Sequence, residues 1–211
     1  MHTSHPVSEP EHGLHHHLKL ATAAAHASLE RTLATRGFFD SRERYIGYLQ
    51  RFLAFQSEAE CVLNAAMASQ VVPDWKERRR AHLARADLQA LGAPEGALPV
   101  SSGHLPVMAL PEQILGIAYV LEGSTLGGAY LLKQLAPIGI TATHGGSYLA
   151  SYGANRGKMW QRFLTTLEDA HRRHANVESV TSAALAAFTA ARFYLTEAED
   201  TVAARACSMV A

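Results

Sequence analysis

From Leu18 to near the end of the chain, apolar residues recur at helical spacing and nowhere alternate as they would along a strand. The clearest stripe is Tyr45, Leu49, Phe52, Phe55, Ala59, Val62, Leu63 and Ala66, inside a helix predicted over 42–67. Asp40, with Glu43 three residues on, reads as the capping start of that helix. Further helices are predicted over 18–33, 76–91, 111–136, 156–174 and 177–206. Residues 92–111 hold seven glycines and prolines, too long a stretch for a simple turn. Neither half of the chain looks self-sufficient, so this stretch reads as a crossing within one fold and not as a linker. The expectation is an all-α, single-domain bundle over 18–206, preceded by a polar, disordered tail over 1–17.

Composition narrows the function classes. A chain of 211 residues, 48% of them hydrophobic, can bury one sizeable core. With 19 basic against 19 acidic side chains, it is not a strongly basic nucleic-acid binder. No uninterrupted apolar run reaches the roughly 18 residues of a membrane span. The longest candidate, 114–132, is broken by Glu122. The first residues lack the apolar centre of a signal peptide. Cys61 and Cys207 are too few and too far apart for a disulfide framework or a zinc cage, which suits a reducing, cytoplasmic setting.

The segment 114–135, ILGIAYVLEGSTLGGAYLLKQL, is strong helix sequence with Gly123, Gly127 and Gly128 at its centre. Each glycine inside a helix costs roughly 0.5–1 kcal/mol relative to alanine, so something should offset three of them. Gly123 and Gly127 are four apart and share a face, which leaves bare backbone there. Either another helix packs tightly against it, or a flat ligand lies on it. Ser124 and Thr125, in the same turn, can hydrogen-bond carbonyls or water beside such a ligand.

His26 lies among small residues, ATAAAHASLE, which give an imidazole room to project. Glu30, one turn on, is placed to orient it through Nδ1. Lys19, two turns earlier on the same face, can reach an anion at a ligand's edge. A histidine helix and a glycine-faced helix together suggest a sandwich for a planar iron macrocycle, whose iron is commonly held by one axial histidine.

At these residues the chain resembles the haem oxygenase family, in particular its bacterial, biliverdin-forming branch, including members associated with bacteriophytochromes. LKLATAAAHASLE (18–30) is similar to the family's proximal motif, and AYVLEGSTLGG (118–128) to its distal-helix signature. RAHLARADLQALG (80–92) and SYLASYGANRGKMWQRF (147–163) are weaker echoes in the same order. The resemblance implies a haem-oxygenase-like bundle with haem between a proximal helix and a kinked distal helix. It implies His26 as the axial iron ligand, supported by Glu30, and a distal wall of Gly123 and Gly127, with Gly128 beside them. Lys19, Tyr119 and Lys133 match positions near the haem propionates. Ser124 stands where animal members carry a distal aspartate, so Ser124 and nearby carbonyls would hold the water that delivers protons, while the bare backbone of Gly123 and Gly127 would be the catalytic wall that steers oxygen toward the ring edge. The implied reaction opens haem to biliverdin with loss of carbon monoxide and iron. It consumes O2 and electrons from a reductase or ferredoxin, and a bacteriophytochrome is a possible acceptor of the product. A non-catalytic haem carrier or sensor on the same fold is the alternative, and a purely structural bundle is a third.

Other features stay open at this level. The Arg-Arg-Arg run at 78–80 reads as a solvated helix face or as a dock for an acidic electron donor. Trp160 and Phe163 read as core, and His171 and His174 as exposed helix histidines. Of twelve histidines, His2, His5, His12, His15, His16 and His17 fall in the expected tail, outside the resemblance.

Overall fold

A computed structural model describes residues 13–93, 103–106 and 110–196. Its helices, in chain order, are α1 (Leu14–Ala21), α2 (Ala23–Arg36), α3 (Arg42–Ala65), α4 (Trp75–Arg78), α5 (Ala81–Ala90), α6 (Pro111–Leu135), α7 (Ser147–Ala150), α8 (Arg156–Arg172) and α9 (Val177–Thr196). No strand occurs among the described residues, where the only bridges are isolated ones in the turn after α6. The chain is all-α.

The long stripe on α3 is core. Tyr45, Leu49, Phe52, Phe55, Ala59 and Leu63 are all buried there, while Val62 and Ala66 pack at its margin. The cap of α3 is Ser41, not Asp40: its hydroxyl accepts from the Arg44 N–H at 3.3 Å.

α9 is the element on which the others lean: α2, α3 and above all α6 pack against it. Small residues make that approach possible. Ala183, Ala184, Ala187, Ala190 and Ala191 are buried on α9. Opposite them, a Cβ on Gly116 of α6 would sit 2.3 Å from the Val180 carbonyl oxygen. That glycine is present because backbone meets backbone there.

Three boundaries differ from the sequence expectations. Leu14, His15, His16 and His17 belong to helix α1 and not to the tail, because Leu14 and Leu18 are fully buried at i, i+4 spacing. Glu168 of α8 caps that helix, accepting from the N–H groups of Leu14 (3.0 Å) and His15 (2.9 Å). The helix expected over 18–33 is interrupted at Thr22, whose hydroxyl bonds the Leu18 carbonyl oxygen at 2.7 Å and competes for it with the backbone. The helix expected over 76–91 is two pieces, α4 and α5, separated by an extended Arg79. Glu60 of α3 starts the second piece by accepting from the backbone N–H groups of Arg80 (2.6 Å) and Ala81 (2.8 Å). The expectations for the first twelve residues and for 197–211, Cys207 included, lie outside the described residues.

The stretch Pro111–Ile138 is long and apolar enough to cross a membrane, its most apolar 18 residues having mean hydropathy 1.3, but 56% of those are buried inside the protein. It also carries the buried Glu122, paired with Arg78. It is the central core helix of a bundle.

Candidate haem site

His26 projects from α2 with 60% of its side chain exposed, and its Nδ1 lies 3.5 Å from Glu30 Oε2. Its ring meets Phe188 of α9 edge-on, with centroids 6.0 Å apart. A carboxylate beside Nδ1 leaves Nε2 as the nitrogen for a metal. Glu30 is therefore placed as its sequence position implies.

α6 runs unbroken through its four glycines, which take two different roles. A Cβ added to Gly123 or Gly127 would meet no atom within 4 Å. These two positions pack against nothing and present bare backbone to open space. Gly128 does the opposite: its Cβ would sit 2.2 Å from the Leu149 carbonyl oxygen of α7. Gly128 is a packing glycine, roughly 140° round the helix from Gly123, and does not belong with the open pair. Tyr119, Leu126 and Tyr130 share the Gly123/Gly127 face at helical spacing, and Leu126 (46%) and Tyr130 (66%) are exposed although large and apolar. The sequence reading missed Leu126 and Tyr130; two apolar residues flanking Gly127 on the glycine side were the available signal.

Tyr119 lies where α6 meets α1, its ring 6.3 Å from His15 and 5.9 Å from Trp160. Burial pushes its phenol pKa up, with a hydrogen bond to Thr22 pulling the other way. Lys19, one helical turn after His15, is exposed on the same short helix. Lys133 departs from the expected set. It lies roughly 80° round α6 from Gly123, in a groove shared with Arg156. The helix turns it away from the centre of the glycine face.

Behind the distal face is a buried polar network that the sequence reading took for surface. Arg78 and Arg80 are 1% and 2% exposed, so two of the three arginines at 78–80 form neither a solvated face nor a dock for an electron donor. Arg78 pairs with both oxygens of Asp74 (2.6 and 2.7 Å) and with Glu122, and donates to the Met159 carbonyl at 3.2 Å. Tyr152 adds a hydrogen bond to Glu122 at 2.9 Å. Burial works against the Arg78 charge, but the Asp74 hydrogen bond and the charges of Glu122 and Asp74 outweigh it and raise its pKa. Arg80 reaches the Leu121 carbonyl (2.6 Å) and Ser124 Oγ (3.3 Å), while Ser124 donates to the same carbonyl at 2.7 Å. Arg80 thus fixes the residue one step from Gly123. An acid at position 122 in an otherwise apolar helix was the sequence signal that a buried cation had to face it.

The helix that carries the projecting His26 and the helix that carries the bare-backbone face both pack against α9. The chain belongs to the haem oxygenase family, whose profile matches residues 12–196. Among its relatives is the haem oxygenase PigA of Pseudomonas aeruginosa, 29% identical over 170 residues, or 80% of this chain and 84% of the relative. The solved haem oxygenase of Neisseria meningitidis superposes with a TM-score of 0.77 at 26% identity, covering 88% of this chain and 92% of that one. The haem oxygenase of Leptospira interrogans shares the fold, with a TM-score of 0.70 at 19% identity, over 88% of this chain and all of the other.

Proposed function

We propose that this chain opens haem to biliverdin, carbon monoxide and iron with His26 as the axial ligand and the Gly123/Gly127 backbone as the distal wall. The observation that carries the assignment is the empty space at both glycines, each a place where any side chain would intrude on a flat ligand. The donor set fits the group, since an exposed imidazole with Nδ1 beside a carboxylate is how a protein presents neutral Nε2 to iron. Haem is the substrate and also brings the iron at which O2 is activated, so the protein's part is orientation and hydrogen bonding.

His26 holds the ring from one side, and Glu30 fixes the imidazole tautomer. Lys19 supplies a cation and Tyr119 a phenol to the propionate edge, which sets the rotation of the ring and hence the carbon that is cut. Ser124 is held from two sides, by Arg80 and by the Leu121 carbonyl. It orders water for proton delivery at the border of the glycine face. Gly123 and Gly127 act by carrying no side chain. Lys133 and Gly128 are outside this set. Electrons come from a reductase or ferredoxin, the setting is cytoplasmic, and a bacteriophytochrome is a fitting consumer of the biliverdin.

The test is reconstitution with haemin, then a reductant under air, followed by absorbance and carbon monoxide capture. Biliverdin and carbon monoxide are expected. A stable oxygen complex would point to a carrier, and absence of a Soret band would remove the haem reading. His26→Ala should abolish the parent ferric spectrum while leaving the unliganded fold within about 0.5 kcal/mol, because the side chain is largely exposed. An unchanged ferric spectrum would exclude His26 as the ligand.

A further inference from the structure

α6 borders a second recess on a flank turned away from the glycine face. Leu132 of α6, Ala136 and Ile140 just after it, and Ala150 of α7 line an open groove of about 480 Å³. That volume falls within the range of small-molecule sites, roughly 300–1,000 Å³. Its charged lining residues are Lys133 and Arg156, both cations, and no acid, histidine or cysteine lines it. Arg156 is anchored by donating to the carbonyls of Ala150 (2.9 Å) and Leu149 (3.4 Å), which holds its guanidinium charge at the groove.

We infer that this groove is a holding site for the open-chain tetrapyrrole dicarboxylate that the reaction releases. The inference rests on the proposed function. An apolar body would lie along Leu132 and Ile140, with carboxylates turned to Lys133 and Arg156. Among the described residues the groove offers no histidine, cysteine or acid to iron, so haem would gain no axial bond there. Its apolar floor, with only two cations beside it, suits a small amphipathic acid better than an acidic protein surface. Lys133, on the flank between the glycine face and the groove, gives a departing carboxylate a cation on the way out.

The experiment uses the full chain loaded with haemin, so that the haem site is filled. Biliverdin is then titrated by equilibrium dialysis while the Soret band reports on the haem. One equivalent of biliverdin should bind with the Soret band unmoved. Ala142→Trp, an exposed change that fills the groove, and Arg156→Gln should each weaken binding by about tenfold or more. Biliverdin dimethyl ester, without its carboxylates, should lose as much. Displacement of biliverdin by haemin overturns the inference, as does parent-like binding by the Ala142→Trp protein or undiminished binding of the ester. Sedimentation showing a dimer that closes the groove also overturns it. If haemin fails to load, the proposed function falls, whereas the comparison of Ala142→Trp with the parent, made without haemin, still decides the groove.

Discussion

His15 stands half-buried against Trp160, ring centroids 5.7 Å apart and nearly perpendicular, close to the end of α1 that Glu168 caps. Burial lowers its pKa below the ordinary 6.5, Lys19 and His16 add to that, and Glu168 alone opposes it. The folded chain therefore binds a proton at His15 less readily than the unfolded chain does. As pH falls below about 6.5 the unfolded state takes up that proton first, and stability is lost until the folded value is passed. Urea midpoints should accordingly fall between pH 7 and pH 5 more steeply in the parent than in His15→Gln. Equal slopes would show that His15 carries none of the acid sensitivity. The same residue shows what composition concealed: in a histidine-rich leader it reads as tail, and only the Leu14/Leu18 pair reveals a helix.

At the scale of the element, α6 separates function from packing residue by residue. Gly123→Ala and Gly127→Ala add a methyl to open space, so each should stabilise the unliganded protein by roughly 0.5–1 kcal/mol through helix propensity. The same methyl intrudes on the haem face and should weaken haem binding about tenfold or more. Gly128→Ala should do the reverse, costing about 1–3 kcal/mol by pressing on the Leu149 carbonyl, with any haem effect secondary. Chemical denaturation alongside haemin titration distinguishes them, and a stabilised Gly128→Ala protein would refute the packing role. Arg78→Met should leave Glu122 buried without its charge partner and cost about 3–5 kcal/mol in the same denaturation assay. These contrasts mark what one dimension carries. The α3 stripe and the Gly123/Gly127 pair were readable because they depend only on spacing along one helix. The roles of Gly128, Lys133, Arg78 and Arg80 depend on which neighbour covers each side. Helical period cannot supply that, and so two arginines of a run that looks like surface turn out to be interior.

For the whole molecule, α9 is the common support of α2, which carries His26, and α6, which carries the glycine face. Haem bound between them would link these two helices through a second route, and it would do so only in the native state. Such a ligand stabilises by RT ln(1 + [L]/Kd), about 2.7 kcal/mol at a free concentration one hundred times Kd. For a chain of this size each kcal/mol shifts Tm by roughly 2–4 °C, so haemin at that level should raise Tm by about 5–11 °C. His26→Ala keeps the glycine bed and the α9 support and loses the iron bond. Its unliganded Tm should match the parent, and most of the haemin-dependent rise at the same haemin concentration should vanish. Differential scanning calorimetry of both proteins with and without haemin measures all four values. A full rise in the variant would mean that haem is held without His26, and the bridge between α2 and α6 would have to be sought at another residue.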